Sequence, residues 1–162
     1  MATATLRLER RTISSNQRVG MAWIFIWIAL AMHVADEAIT GFLRVYNPTV
    51  LALTERLGWW PMPTFTFDMW LAGLITEIGI LAALTPFAFR NAAWLRPILY
   101  FCAIAICMGN ACVHTLATIF GQTVSTVHFS RPAPGFYSSP LLLFAGIYAL
   151  VQLRRTRKGL PS

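Results

Sequence analysis

The sequence predicts an all-α fold, a four-transmembrane-helix bundle, from three observations. First, 57% of the 162 residues are hydrophobic and only 12% are charged, whereas about 25% of the residues in a soluble domain are charged. Second, four apolar stretches approach the length of about 20 residues that a spanning helix needs. Third, most cations lie at the chain ends, so membrane topology explains the net charge of +7. A nucleic-acid partner is not expected, since it would require a basic face.

The four predicted spans follow one another along the chain. They cover residues 20–43, 67–88, 95–120 and 140–153. The fourth is the shortest and is expected to begin near Phe136. Residues 49–60 are predicted to form a short helix in the membrane interface. An aromatic belt is expected at the outer end of the second span, formed by Trp59, Trp60 and Trp70.

Lysine and arginine residues predict the orientation of the spans. Ten cations lie before the first span, between the second and third spans, and in the tail, whereas only Arg44, Arg56 and Arg131 lie in the other connections. Because the more basic side of a membrane protein faces the cytoplasm, we expect a protein of the cytoplasmic membrane with both termini cytoplasmic. The chain then divides into a basic N-terminal segment, a membrane domain and a basic tail, at residues 1–19, 20–153 and 154–162.

Polar side chains inside the predicted spans indicate a functional site, because each ionisable group at the bilayer centre costs about 2.5–3.5 kcal/mol. Residues three or four apart share one helical face. Counting about 1.5 Å per residue from the outer end of each span also places polar groups of three spans at a similar depth. We therefore predict one shared site whose catalytic candidates are His33, Asp36, Glu37, Glu77, Asn110 and His114.

Two kinds of chemistry are open for this site. Imidazole and carboxylate ligands suit zinc and iron, so one divalent transition metal could be bound by His33, Glu37, Glu77 and His114. The same groups could instead perform acid–base catalysis without a metal, in loose analogy to sterol isomerases of the emopamil-binding type. Either chemistry suits an enzyme that acts on a membrane lipid or another lipophilic small molecule.

Two other functions compete with an enzyme. Intramembrane Asp, Glu and His residues also relay ions, which would suit a proton- or cation-handling transport protein. A transporter with four short spans would need to form a homo-oligomer to enclose a path. A structural membrane subunit, in which polar residues only specify assembly, is the third alternative. In the outer loop, Arg131 and Tyr137 are candidates for substrate binding, since arginine pairs with anionic groups.

The segment His33-Val34-Ala35-Asp36-Glu37 resembles the signature of the HXXEE-motif family of small membrane proteins. Later residues extend the resemblance over about residues 20–153, namely Asn110, His114, Pro134, Gly135, Ser138, Ser139 and Leu141. Asp36 departs from the family pattern, which has glutamate there, and its side chain is shorter by one methylene. The resemblance implies the fold and the site. It implies no activity, because the family has no agreed biochemical function.

Overall fold

The computed structural model describes residues 2–157, with side chains described for residues 16–156, and the chain is mainly helical. Its helices are α1 (Ala2–Thr40), α2 (Leu43–Leu57), α3 (Phe67–Ala83), α4 (Thr85–Phe89), α5 (Leu95–Phe101), a π-helical segment (Cys102–Gly109), α6 (Asn110–Phe120) and α7 (Ser139–Arg157). An antiparallel hairpin of β1 (Gln122–Val124) and β2 (Val127–His128) follows α6. The all-α class is confirmed, and the short hairpin was not predicted.

Three stretches are long and apolar enough to cross a membrane, namely Asn16–Thr40, Phe67–Phe89 and Leu95–Phe120. They agree with the first three predicted spans to within a few residues. The first stretch ends at Thr40 because Gly41 adopts a φ of +78° and turns the chain toward α2. Among the described residues, α7 is not apolar enough to be a candidate span, since arginines occupy its last turn.

Helix α7 nevertheless lies at the centre of the molecule, packed against α1 and the π-helical segment. Leu142 of α7 is completely buried there. Trp23 of α1, also almost completely buried, donates its indole N–H to the Leu81 carbonyl oxygen of α3. A Cβ atom on Gly146 would lie 2.7 Å from the carbonyl oxygen of Ala103. Glycine at this position therefore lets α7 approach the backbone of the π-helical segment closely.

Helix α2 lies between the first two spans, where a short interfacial helix was predicted, but it begins and ends earlier than residues 49–60. A hydrogen bond between the Thr49 and Thr123 hydroxyls joins α2 to the hairpin. Trp59 is exposed, as expected for an aromatic belt. Trp70 lies in the first turn of α3, at the predicted end of the second span, but its indole is buried and packs against Phe42 at 5.9 Å between ring centroids.

The terminal segments continue the helices. Helix α1 includes nearly all of the basic N-terminal segment, and α7 extends into the basic tail as far as Arg157. Residue 1 and residues 158–162, which include the end of that tail, lie outside the described residues.

Candidate metal centre

Two histidines and one glutamate meet between α1 and α6. Glu37 Oε1 lies 3.5 Å from His33 Nε2 and 3.2 Å from His114 Nε2. His33 and Glu37 are one turn apart in α1, and the three atoms that can bind a metal lie within 4.8 Å of one another. All three residues are buried, with at most 6% of their surface exposed. We call these three residues the His–Glu cluster. It confirms that polar groups of different spans converge.

A serine and an aspartate fix the orientation of His33. Ser138 Oγ lies 2.8 Å from His33 Nδ1 and 2.8 Å from Asp36 Oδ2. Because an ionised carboxylate only accepts hydrogen bonds, the Ser138 hydroxyl donates to Asp36 and accepts from the Nδ1–H of His33. The other ring nitrogen, Nε2, then carries a lone pair that faces the cluster, where it has no hydrogen-bond partner.

Asp36 therefore acts on the cluster through Ser138. Its Oδ2 atom also accepts a hydrogen bond from the Ser138 backbone N–H, at 2.8 Å. The imidazole ring of a metal-binding histidine is commonly oriented by a hydrogen bond from its other ring nitrogen, often to a carboxylate. Here the serine hydroxyl lies between the ring and the carboxylate. Asp36 thus belongs to the predicted site as a positioning residue.

The chain segment before α7 closes one side of the cluster. Gly135 has a φ of +80°, and a Cβ atom there would lie 2.8–2.9 Å from a ring carbon of each cluster histidine. The Gly135 N–H donates to Thr40 Oγ1 at 3.2 Å, and the Ala133 N–H donates to Thr118 Oγ1 at 2.9 Å. Hydrogen bonds to both α1 and α6 hold this segment in place, and only glycine fits where it touches the cluster.

The His–Glu cluster fits a divalent transition metal. Zinc binds nitrogen and oxygen ligands at about 2.0–2.1 Å, so two ligands of a tetrahedral site lie about 3.3 Å apart. The two Glu37–histidine separations of 3.2 and 3.5 Å are close to this value, and the histidine nitrogens, which lie within 4.8 Å of each other, would move closer on binding. The unpartnered His33 nitrogen supplies a free lone pair. When both are ionised, Glu37 and Asp36 would together carry two negative charges, which balance a dication in surroundings that solvate charge poorly.

Glu77 does not join the cluster. Within the described residues, the side chains that lie close enough together to hold a metal are His33, Glu37 and His114. Glu77 is half-buried in α3. Helix α3 packs against α1, whereas α6 packs mainly against α7 and the π-helical segment. The predicted four-residue metal site is therefore corrected to three residues. Helix α3 is a neighbour of α1, but equal depth did not bring the Glu77 side chain to the two histidines.

The remaining predicted site residues lie outside the cluster contacts. Asn110 is half-buried at the start of α6, one turn before His114. Arg131 is exposed, and its guanidinium lies beside Gly121. Tyr137 is 69% exposed. The roles predicted for these three side chains stay predictions.

A cavity of about 390 Å³ reaches Glu37 from the side of α2 and α3. We call it the aromatic groove, after the rings that line it, Phe42, Phe65, Phe67 and Trp70. Phe42 lies between Trp70 and His114, with its ring centroid 5.9 Å from each. The groove therefore connects the His–Glu cluster to the end of the first span and the beginning of the second.

Several residues of this site had no predicted role. Gly135 and Ser138 belong to the segment that resembles the HXXEE family, so the resemblance was the signal that could have found them. Phe42 and the other groove residues lie beyond the end of a span or at the start of one, where apolar side chains are expected in any membrane protein. They carry no comparable signal in the sequence.

Comparison with protein-family models, with curated proteins and with solved structures gives no match for this chain. The resemblance to the HXXEE-motif family therefore stays a prediction. The fold and the site define the chain as a helical protein with three candidate membrane spans and a buried His–Glu cluster.

Proposed function

We propose that this protein is an integral membrane enzyme whose His–Glu cluster binds one divalent transition metal and acts on a lipophilic molecule. The position of Glu37 is the observation that carries the proposal. Its carboxylate lies between two imidazole nitrogens, and its side chain also lines the aromatic groove. A molecule in the groove would therefore meet the metal-binding group directly.

The ligand set favours catalysis over a purely structural metal. Structural zinc sites have four protein ligands, whereas catalytic sites use three, as in the two-histidine, one-glutamate set of some zinc hydrolases. Two histidines and one carboxylate also bind iron in oxygenases. A bound metal would polarise an oxygen atom of the substrate or activate a water molecule.

The chain's own residues would prepare this reaction in three ways. Ser138 and Asp36 keep His33 oriented with its Nε2 lone pair toward the cluster. Gly135 packs against both histidines and the Glu37 side chain, and it would limit the access of bulk water there. On the groove side, aromatic rings exclude water and contact apolar substrate.

We further propose that α7 is a fourth span, with both termini in the cytoplasm. Its burial between α1 and the π-helical segment supports this proposal, and its terminal arginines would extend to the headgroup region. Reporters fused after Thr123 and after Ser162 test it. They lie on opposite sides of the membrane if α7 spans, and a reporter result with both on the same side contradicts a fourth span.

Metal analysis of protein purified in a mild detergent tests the metal site. We expect about one transition-metal ion per chain, as a site with three protein ligands implies. His33→Ala and His114→Ala should each lose it. His128→Ala is the matched control, because His128 is exposed and lies outside the cluster. If the wild type binds no transition metal with or without added zinc or iron, the metal proposal fails, and acid–base chemistry is the alternative.

A further inference from the structure

Arg44 is the cationic side chain in the lining of the aromatic groove. It is exposed, and its side chain lies over Gly41, at the turn between α1 and α2. Among the side chains that the structure describes, no carboxylate lies within 4.0 Å of its guanidinium. Among the described side chains, the lining of the groove therefore holds both a cation without a carboxylate partner and Glu37 of the His–Glu cluster.

Glu37 and Arg44, which both line the groove, lie on opposite sides of the end of the first candidate span. Glu37 lies three residues before the end of the first candidate span at Thr40, and Arg44 lies four residues beyond it. The aromatic rings of Phe42, Phe67 and Trp70 lie at the ends of the first two candidate spans. The groove lining thus combines a cation beyond the span end with apolar rings at the span ends, which matches the polarity of an amphiphile in a bilayer.

Resting on the proposed function, we propose that the substrate is an amphiphile with one anionic head group, a carboxylate or a phosphate, and a single apolar chain. Arg44 binds the head group, because its guanidinium forms paired hydrogen bonds with either anion. Phe42, Phe67 and Trp70 contact the adjoining apolar part, which lies next to Glu37. A volume of about 390 Å³ is near the lower end of ligand cavities, which favours one chain over two.

Binding to the purified full-length protein in bilayer discs of zwitterionic lipid tests this assignment. The probes are hexadecanoic acid, hexadecyl phosphate and the uncharged hexadecanol. We expect at least one of the two anions to bind at least ten-fold more tightly than the alcohol. The tighter of the two identifies the head group as a carboxylate or a phosphate.

Arg44→Gln should remove this preference, and Arg44→Lys should keep part of it, because the charge stays while the paired hydrogen bonds are lost. Arg56→Gln is the matched control, since Arg56 is exposed on the same helix and outside the groove lining. It should change anion binding less than two-fold. Equal binding of all three probes, or equal effects of the glutamine variants at Arg44 and Arg56, overturns the proposal.

Metal content of the same samples separates this proposal from the proposed function. If the protein contains metal but its anion binding does not depend on Arg44, the amphiphile proposal is refuted and the metal site stands. Arg44-dependent binding without metal supports the anionic ligand and refutes the metal enzyme.

Discussion

Glu37 and Glu77 are both acidic residues on apolar helices, but their surroundings differ. Glu37 is 6% exposed and contacts two histidines. Half of the most apolar stretch of its span is buried inside the protein. Glu77 is half-buried on a span of which only 11% of that stretch is buried. The difference shows that the surroundings of a carboxylate decide whether it can become a ligand. Glu37 lies where α1 packs against α7, and it contacts His114 of α6, whereas α3 lies at the periphery.

The largest expected effect on stability comes from Gly135→Ala, at the point where α1, α6 and the segment before α7 meet. A left-handed conformation costs a non-glycine residue about 1–2 kcal/mol, and crowding against both histidines adds about 1–3 kcal/mol. The free energy of unfolding in detergent should fall by the sum of these effects.

Gly58→Ala separates the two contributions. Gly58 has a φ of +70°, similar to that of Gly135, but no atom lies within 4 Å of the Cβ position. This variant should lose only the backbone contribution of about 1–2 kcal/mol. Equal losses at the two glycines would show that the Gly135 segment does not press on the cluster.

A smaller effect is expected from Ser138→Ala, which removes the link between Asp36 and His33. Loss of a group that orients a metal ligand typically weakens metal binding about 10–100-fold. Metal titration of the purified protein measures it. The control is Ser139→Ala, because both serine hydroxyls lie within hydrogen-bond distance of the Gly135 carbonyl oxygen, whereas the Ser138 hydroxyl also contacts Asp36 and His33. Similar weakening by both variants would contradict the orienting role of Ser138.

The smallest effect is a coupling energy. Asp36→Asn and Ser138→Ala act on the same pair of hydrogen bonds, so their effects on the free energy of metal binding should deviate from additivity by about 0.5–3 kcal/mol. Glu37→Gln and Glu77→Gln share no contact, and their effects on the free energy of unfolding should add to within about 0.5 kcal/mol. A strong coupling between the two glutamates would place Glu77 in the cluster.

The spans and part of the site were predictable from local sequence properties. Apolar length marked Phe67, Leu95 and Phe120 as ends of spans. The four-residue spacing of His33 and Glu37 placed both on one face of α1. These properties depend only on residues close together in the chain.

The partners across helices were not predictable in the same way. The depth of a residue along its helix does not predict which side chains of the neighbouring helices it contacts. Glu77 was therefore grouped with the histidines on depth alone. The π-helical segment before α6 also has more residues per turn than an α-helix, which changes the direction in which the later side chains point. The contact of Ser138 with His33 joins residues 105 positions apart, and it depends on how the segment before α7 folds back.

The metal content of two matched variants, Glu37→Gln and Glu77→Gln, tests the central claim most directly. Each substitution removes one carboxylate charge from an apolar span and keeps the shape of the side chain. We predict that the Glu37 variant loses the metal, while the Glu77 variant retains about one ion per chain, as the wild type does. Equal metal content in the two variants, whether both lose the metal or both retain it, would contradict a site formed by His33, Glu37 and His114.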